Sequence, residues 1–245
     1  MLSGLSIFFP TYNEEGNIRK CVTDSLEQAR KIAHKYEVIV VLAKGSSDNT
    51  ENIVKEMMQK NRRIRLVYQE IRDKGYGYAL RLGIAHSRYP YIFYADSDNQ
   101  YDLKEMPKLV PYLKDYHVVS GYRLTRSDAV VRRLMAFTYN VILELLFKTG
   151  VRDIDSAFKF YKKEIFDKVE LKFGSGIVDA EIIIKAKRHG FKIKEIGVHH
   201  HKRASGTAMY ETSNLGFMKP SVVGRIIIDI WRLWRDVNGQ EWKYQ

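Results

Sequence analysis

The segment YADSDNQYD places Asp96 and Asp98 one residue apart, directly after the apolar run Tyr91 to Ala95. Two carboxylates delivered this way to the end of a buried strand can share a hard divalent cation. Such ions are commonly held by one or two carboxylates together with substrate phosphates. An isolated Asp-x-Asp is otherwise an acidic turn, so its position decides the reading. Two further apolar runs end in the same manner. In PTYNEEGNI, Pro10 and Asn13 close the first run and Glu14 and Glu15 open a helix; in AKGSSDNT a glycine turn leads into a helix N-terminus that can receive an anion.

The second half of the chain adds SGYR, with Arg123 after a strand, and Arg132 and Arg133 at the start of a helix. Arginine suits phosphate because its planar fork makes paired hydrogen bonds. The run RDIDSAFKFY carries Asp153, and Asp179 with Glu181 opens another helix, where acids either cap or act as a general base. His199, His200 and His201 do not read as one metal site, because consecutive strand residues face alternate sides.

These residues need a scaffold, and the pattern supplies one. Strands are expected at Leu5 to Phe9, Val38 to Leu42, Ile64 to Val67, Tyr91 to Ala95, His117 to Gly121, Ala157 to Tyr161 and Lys192 to Val198. Helical spacing fills Gly16 to Tyr36, Asp48 to Lys60, Gly77 to Ser87, Val130 to Lys148 and Val178 to His189, with Asp48 and Glu51 spaced as a capping box. Strands alternating with helices imply an α/β fold with a mostly parallel sheet, and a nucleotide site at the carboxyl ends of its strands. No repeat or low-complexity linker interrupts the 245 residues, which reads as one domain with a C-terminal extension.

With 41 Lys plus Arg against 29 Asp plus Glu, the net charge of +12 favours an anionic partner. No recognised nucleic-acid motif accompanies it, so nucleic acid is not the expected partner. The single cysteine, Cys21, cannot form an internal disulfide and reads as a small apolar helix residue in a cytoplasmic protein. The N-terminus has no leader pattern, and Arg225, Asp229 and Arg232 interrupt the best candidate for a spanning helix. A soluble or peripheral chain is expected.

Taken in order from Leu5 to Thr207, the strings PTYNEEGNI, GSSDNT, KGYGYALRLGI, YADSDNQYD, SGYR, RDIDSAFKFY, VDAEII and HHHKRASGT resemble the family 2 glycosyltransferases of GT-A fold. The branch resembled is that of the dolichyl-phosphate and related polyprenyl-phosphate sugar transferases. That resemblance implies a single GT-A domain over residues 1–210, with a Rossmann-like sheet flanked by helices, and an extension over 211–245 carrying an amphipathic helix. It implies an inverting, metal-dependent enzyme that moves a sugar from a nucleotide-diphosphate donor to a polyprenyl phosphate, with Mg²⁺ or Mn²⁺ as cofactor. A glycan or glycolipid hydroxyl is the alternative acceptor, and a catalytically weak nucleotide-sugar-binding homologue the alternative role.

By the same resemblance Pro10, Tyr12 and Glu14 line the nucleotide pocket, Lys74 and Gly75 lie near the donor phosphates, and Gln100 faces donor or acceptor. Asp96 contacts donor ribose or metal, and Asp98 is the principal metal ligand. Arg123, Arg132 and Arg133 bind the acceptor phosphate, and Arg203, in a loop over the site, meets a donor or acceptor phosphate. Should the acceptor need a base, Asp153, Asp179 or Glu181 would serve. The chain departs from the family where Ala43 and Lys44 stand in place of two aspartates, the first of which reads the nucleotide base. Losing one hydrogen bond to a charged group weakens donor binding by about 1.5 to 3 kcal/mol.

The last segment, PSVVGRIIIDIWRLWRDV, aligns Val223, Ile227, Ile230 and Trp234 on one helical stripe and Arg225, Asp229, Arg232 and Asp236 on another. Such a helix covers the protein's own core or lies at a membrane surface, possible for a peripheral protein at the cytoplasmic face.

Overall fold

A computed structural model describes residues 1–71, 75–124, 130–203, 205 and 220–239, the side chains of 130, 132, 220 and 222 excepted. Its seven strands form one sheet in the order β3-β2-β1-β4-β6-β5-β7. They are β1 (Leu5–Thr11), β2 (Tyr36–Ala43), β3 (Ile64–Gln69), β4 (Tyr91–Ala95), β5 (Val118–Arg123), β6 (Phe158–Lys162) and β7 (Ile193–Val198). The strands β1 and β2 read LSIFFPT and YEVIVVLA, mostly apolar runs buried on both faces as central parallel strands require, with the buried Ser6 hydroxyl donating to Glu37 at 2.8 Å. Helices α1 (Ile18–Ile32), α2 (Thr50–Lys60), α3 (Tyr76–His86), α4 (Met106–Leu109), α5 (Val130–Phe147), α6 (Val178–Arg188) and α7 (Pro220–Asn238) flank the sheet.

Pairing direction explains where the polar strings go. Strand β1 lies between β2 and β4 and is parallel to both, so the chain order reverses at β1 and opens a crevice there. Strand β6 runs antiparallel to β4 and β5, and β7 runs parallel to β5. The ends of β1, β2, β4, β5 and β7 and the beginning of β6 therefore share one edge. Residues 11–15, 43–50, 96–101, 123, 153–156, 199–203 and 205 all meet there. Helix α3 packs tightly beneath: a Cβ on Gly83 would sit 2.3 Å from Phe8 Cδ2, so only glycine permits this approach of helix to β1.

Three local expectations are corrected. Helix α1 ends at Ile32 rather than Tyr36, because Tyr36 is drawn into β2 opposite Leu5. The Asp48/Glu51 capping box does not form. Asp48 instead accepts from the backbone of Glu15 and Thr50, and Glu51 bonds the Tyr68 hydroxyl and Lys55. In α7 the packed stripe is Asp229, Ile230, Leu233 and Val237, whereas Ile227 and Trp234 are exposed. Polar anchors set this rotation: Ser175 Oγ donates to Asp229 Oδ2 at 2.7 Å and Lys185 pairs with Asp236 at 2.9 Å. Those anchors, with Arg188 to Asn238 at 3.4 Å, lay α7 along α6 in the same direction.

Helix α5 is anchored at two points. Near its middle the Asn140 Oδ1 accepts from Ile154 N at 3.1 Å, and beyond its end Lys187 Nζ of α6 donates to Thr149 O at 3.0 Å. Every residue of α6 from Val178 to Ala186 is buried. Among the described residues no helix is long and apolar enough to cross a membrane.

Candidate active site

The strand-end loops lock one another into place. Asn13 and Asn99, closing β1 and β4, adopt φ of 51° and 59°, a left-handed conformation that asparagine tolerates. Asn13 Oδ1 accepts from Ser46 Oγ at 2.9 Å and Ser47 N at 2.8 Å, and Glu14 N donates to Thr50 Oγ1 at 2.9 Å. Asn99 Nδ2 donates to Asn17 O at 3.1 Å, and the buried Cys21 thiol donates to Asn99 Oδ1 at 3.1 Å. Burial pushes that thiol up to about 12, so Cys21 stays a protonated packing group whose polar contacts are Asn99 Oδ1 and, at 3.3 Å, Ser97 O. The PTYNEEGNI, GSSDNT and YADSDNQYD strings form one rigid rim.

At its centre stands an acidic group. Asp96, at the end of β4, is half-buried and accepts from the Tyr76 hydroxyl at 3.0 Å. Burial, and then the charge of Asp98, raise its carboxyl to about 7, so it is near half-ionised at neutral pH. Asp98 is buried, and its Oδ1 accepts from Gln100 N at 3.0 Å. Glu14 is buried beside it; burial raises its carboxyl while Asn17 and Arg203 oppose the shift.

Arg203 reaches into this group from the segment after β7. Its guanidinium hydrogen-bonds Glu14 and lies 3.5 Å from Asp98 Oδ2, supplying the positive charge that the carboxylates demand. The segment is tied down by His201 N to Gln100 O at 2.7 Å, Gln100 Nε2 to His201 O at 3.1 Å and Asn17 Nδ2 to Ser205 O at 3.1 Å. Among the described residues no group of three or more His, Cys, Asp or Glu could hold a metal alone. Two crowded carboxylates with oxygen donors only, compensated by a guanidinium, fit a hard divalent ion completed by substrate phosphates.

Beyond β4 the cleft changes character. Arg123 Nη2 and Nε bond Asp153 Oδ1 and Oδ2 at 2.6 and 2.7 Å in a buried two-pronged pair. The fork expected for an acceptor phosphate is occupied by the carboxylate expected as a base, so these two residues position one another. Asp179 is also committed, with Oδ1 accepting from the Tyr94 hydroxyl and, at 2.7 Å, from the wholly buried Lys159. Glu181 is committed as well. It is fully buried, accepts from Lys172 N at 2.8 Å, Phe173 N at 3.1 Å and Lys185 Nζ at 2.7 Å, and anchors the segment before α6.

The residue missed in the sequence is Asp155. Burial, and next the charge of Asp179, push its carboxyl up to about 7, while Arg123 and Lys159 pull it down. Its signal was available: Asp153 and Asp155 repeat the Asp-x-Asp spacing of Asp96 and Asp98.

The remaining expected residues divide. Pro10 O accepts from Ser97 Oγ at 2.9 Å, and the Tyr12 ring lies over Gly45, so both line the rim. Gly75, at φ 116°, begins α3 against Gly174, where a Cβ would lie 2.3 Å from the Gly174 oxygen. Lys74 and the side chain of Arg132 lie outside the described residues; Arg133 is exposed in the first turn of α5. Lys44 pairs with Glu70 at 2.8 Å. The histidines alternate: His199, which bonds Glu105 at 2.9 Å, stacks with the exposed His201 at 6.5 Å between ring centroids, while His200 packs edge-on against Tyr101.

The family model described as Glycosyl transferase family 2 matches residues 6–170. The dolichyl-phosphate hexose transferase of Haloferax volcanii is 26% identical over 230 residues, covering 92% of this chain and 93% of that one. The dolichyl-phosphate beta-glucosyltransferase of Saccharomyces cerevisiae is 25% identical over 256 residues, covering 93% of this chain and 76% of its own. Among solved structures, glucosyl-3-phosphoglycerate synthase from Mycobacterium tuberculosis with uridine diphosphate superposes with a TM-score of 0.70 at 18% identity, over 98% of this chain and 81% of that one. Its complex with Mn²⁺, uridine diphosphate and phosphoglyceric acid has a TM-score of 0.70 at 20% identity, over 92% and 78%. At these identities the likeness is one of fold.

Proposed function

Because the chain belongs to glycosyl transferase family 2, we propose that it moves a sugar, with inversion, from a nucleotide-diphosphate donor to a polyprenyl phosphate. The observation that carries this reading is the convergence of Asp96, Asp98, Glu14 and Arg203 at the β1/β4 crevice. The relatives named as dolichyl-phosphate transferases along almost the whole chain support the acceptor class. A divalent ion, Mg²⁺ or Mn²⁺, held by Asp96 and Asp98 would offset charge on the departing diphosphate.

The acceptor phosphate oxygen forms the new bond to the anomeric carbon as the bond to the diphosphate oxygen breaks, and the nucleoside diphosphate leaves with that electron pair. A phosphate monoester has its second pKa at about 6, so it attacks without a strong base. Pro10, Tyr12 and Gly75 would border the donor, with Gln100 tying down the backbone of His201. Arg203 is the cation placed to pass from Glu14 and Asp98 to a substrate phosphate. The Arg123–Asp153 pair and Asp179 would hold the acceptor side in shape.

A second reading, an alcohol acceptor on a glycan or glycolipid, needs a base, and Asp155, half-buried near Asp179 and Arg123 with its carboxyl raised by burial to about 7, is the residue that would serve. A screen of nucleotide sugars against polyprenyl phosphate and the matching polyprenol, with Mg²⁺ or Mn²⁺ and product mass as readout, separates the two. Transfer to the phosphate is expected. A preference for the hydroxyl that is lost in Asp155→Asn would replace the first reading with the second.

A further inference from the structure

Fourteen large apolar side chains are exposed among the described residues, and six of them lie on α5 and four on α7. On α5 these are Leu134, Phe137, Val141, Ile142, Leu145 and Leu146, a continuous helical stripe; on α7 they are Ile227, Ile228, Trp231 and Trp234. Patches of this size on a folded domain mark a contact with something else.

The charges on the two helices identify the partner. Their acids are tied down. Asp229 bonds Ser175 at 2.7 Å, Asp236 bonds Lys172 at 2.6 Å and Lys185 at 2.9 Å, and Glu144 accepts from Thr149 and Gly150 at 2.7 Å at the end of α5. Of their arginines, Arg133 and Arg235 are exposed, with the Arg235 guanidinium 4.9 Å over the Trp231 ring, while Arg225 and Arg232 line a pocket with Lys172 and Ser175, where Arg232 lies 3.6 Å from Asp229. Apolar and basic groups together, with tryptophan among them, suit an anionic lipid surface. A second copy of the chain would set arginines against arginines.

Near its middle α5 is held to the segment before β6, with Asn140 Oδ1 accepting from Ile154 N, and the charges of Asp155 and Asp179 reach its Tyr139 hydroxyl, so α5 adjoins the edge where the acceptor would arrive. We propose that the exposed stripe of α5 is a membrane-docking surface for anionic bilayers, working with α7 as a second ridge. The link to catalysis rests on the lipid-phosphate reading above, whereas docking itself is measured with no acceptor present.

The test is co-sedimentation of the full chain with vesicles of phosphatidylcholine alone or with about one-third phosphatidylglycerol. Phe137→Ser with Leu145→Ser, and separately Leu134→Gln, should weaken partition into the anionic vesicles about tenfold or more, since each removes apolar area that would enter the interface. Tyr112→Ser, elsewhere on the surface, should not change it. Melting curves and mass by light scattering should match the unmodified chain. Unchanged partition of both α5 variants overturns the proposal, and a halved mass in them would assign the face to a second copy. If the unmodified chain docks through α5 yet transfers nothing to polyprenyl phosphate, the docking surface stands and the acceptor reading falls.

Discussion

Replacing Asp96 with asparagine should abolish transfer and yet stabilise the metal-free protein, increasingly so as pH rises. Asp96 is raised from 3.8 to about 7 by burial and by Asp98, so the folded state disfavours its ionisation. An acid with a raised folded pKa leaves stability intact below its unfolded value, and stability is then lost as pH climbs to the folded value. Each unit is about 1.4 kcal/mol, so the penalty grows from about 1 kcal/mol near pH 4.5 to about 4 near pH 8. Solvent reaches the half-buried carboxylate, and halving the figure for screening leaves an increase of about 1.5 kcal/mol between those pH values. Asparagine keeps an acceptor for Tyr76 and carries no such penalty.

Urea unfolding in chelator at the two pH values measures the gap directly. The variant should be the more stable form, with the larger margin at the higher pH. Mn²⁺ should raise the stability of the unmodified chain near pH 8 and do little for the variant. A gap that is constant with pH, or of opposite sign, would show that Asp96 is not held under electrostatic strain by Asp98 and burial.

Arg203→Ala should separate two properties. Mn²⁺ binding without donor tightens, because the guanidinium no longer occupies Asp98, while transfer falls about tenfold or more through loss of a charge-assisted contact. Calorimetry and turnover moving in the same direction would contradict that assignment. Arg123→Ala should destabilise by about 3 to 5 kcal/mol by stranding the buried Asp153 charge, and adding Asp153→Ala should restore much of the loss. Denaturant midpoints of the single variant within experimental error of the unmodified chain would show the pair to be dispensable to the fold. Ala43→Asp, at the end of β2, should strengthen binding of one nucleoside diphosphate about tenfold or more. Identical calorimetric profiles for uridine and guanosine diphosphates before and after would remove Ala43 from base recognition.

Elements with a strong local cause were legible in the sequence. The apolar runs of β1, β2 and β4 are buried on both faces and can only be central strands, and β4 spans the expected Tyr91 to Ala95. Asp96 and Asp98 could be placed at the sheet edge because a strand ends where its apolar run ends. Helix boundaries were blurred where a neighbouring strand claimed the residues, as at Tyr36. The paired prolines hid the short helical segments between Leu103 and Lys114.

The partnering of charges was not written in any local pattern. Arg123 and Asp153 are 30 residues apart, Lys159 and Asp179 are 20, and Arg203 meets Glu14 across 189. A motif names which groups gather at an edge, but a carboxylate's use depends on which donors reach it, and those arrive from strands joined only by the sheet order. The same holds for α7. Its sequence determined an amphipathic helix, but the anchors of Asp229 to Ser175 and Asp236 to Lys185 decided which side packs and left Trp231 and Trp234 outside. Composition and periodicity are local properties of the chain, and they specified the strands, the helices and the acidic edge. The ionisation of Asp96 and Asp155, the closure of Arg203 over Glu14 and the outward face of α5 depend on desolvation and distance, which exist only once the sheet has brought distant segments together.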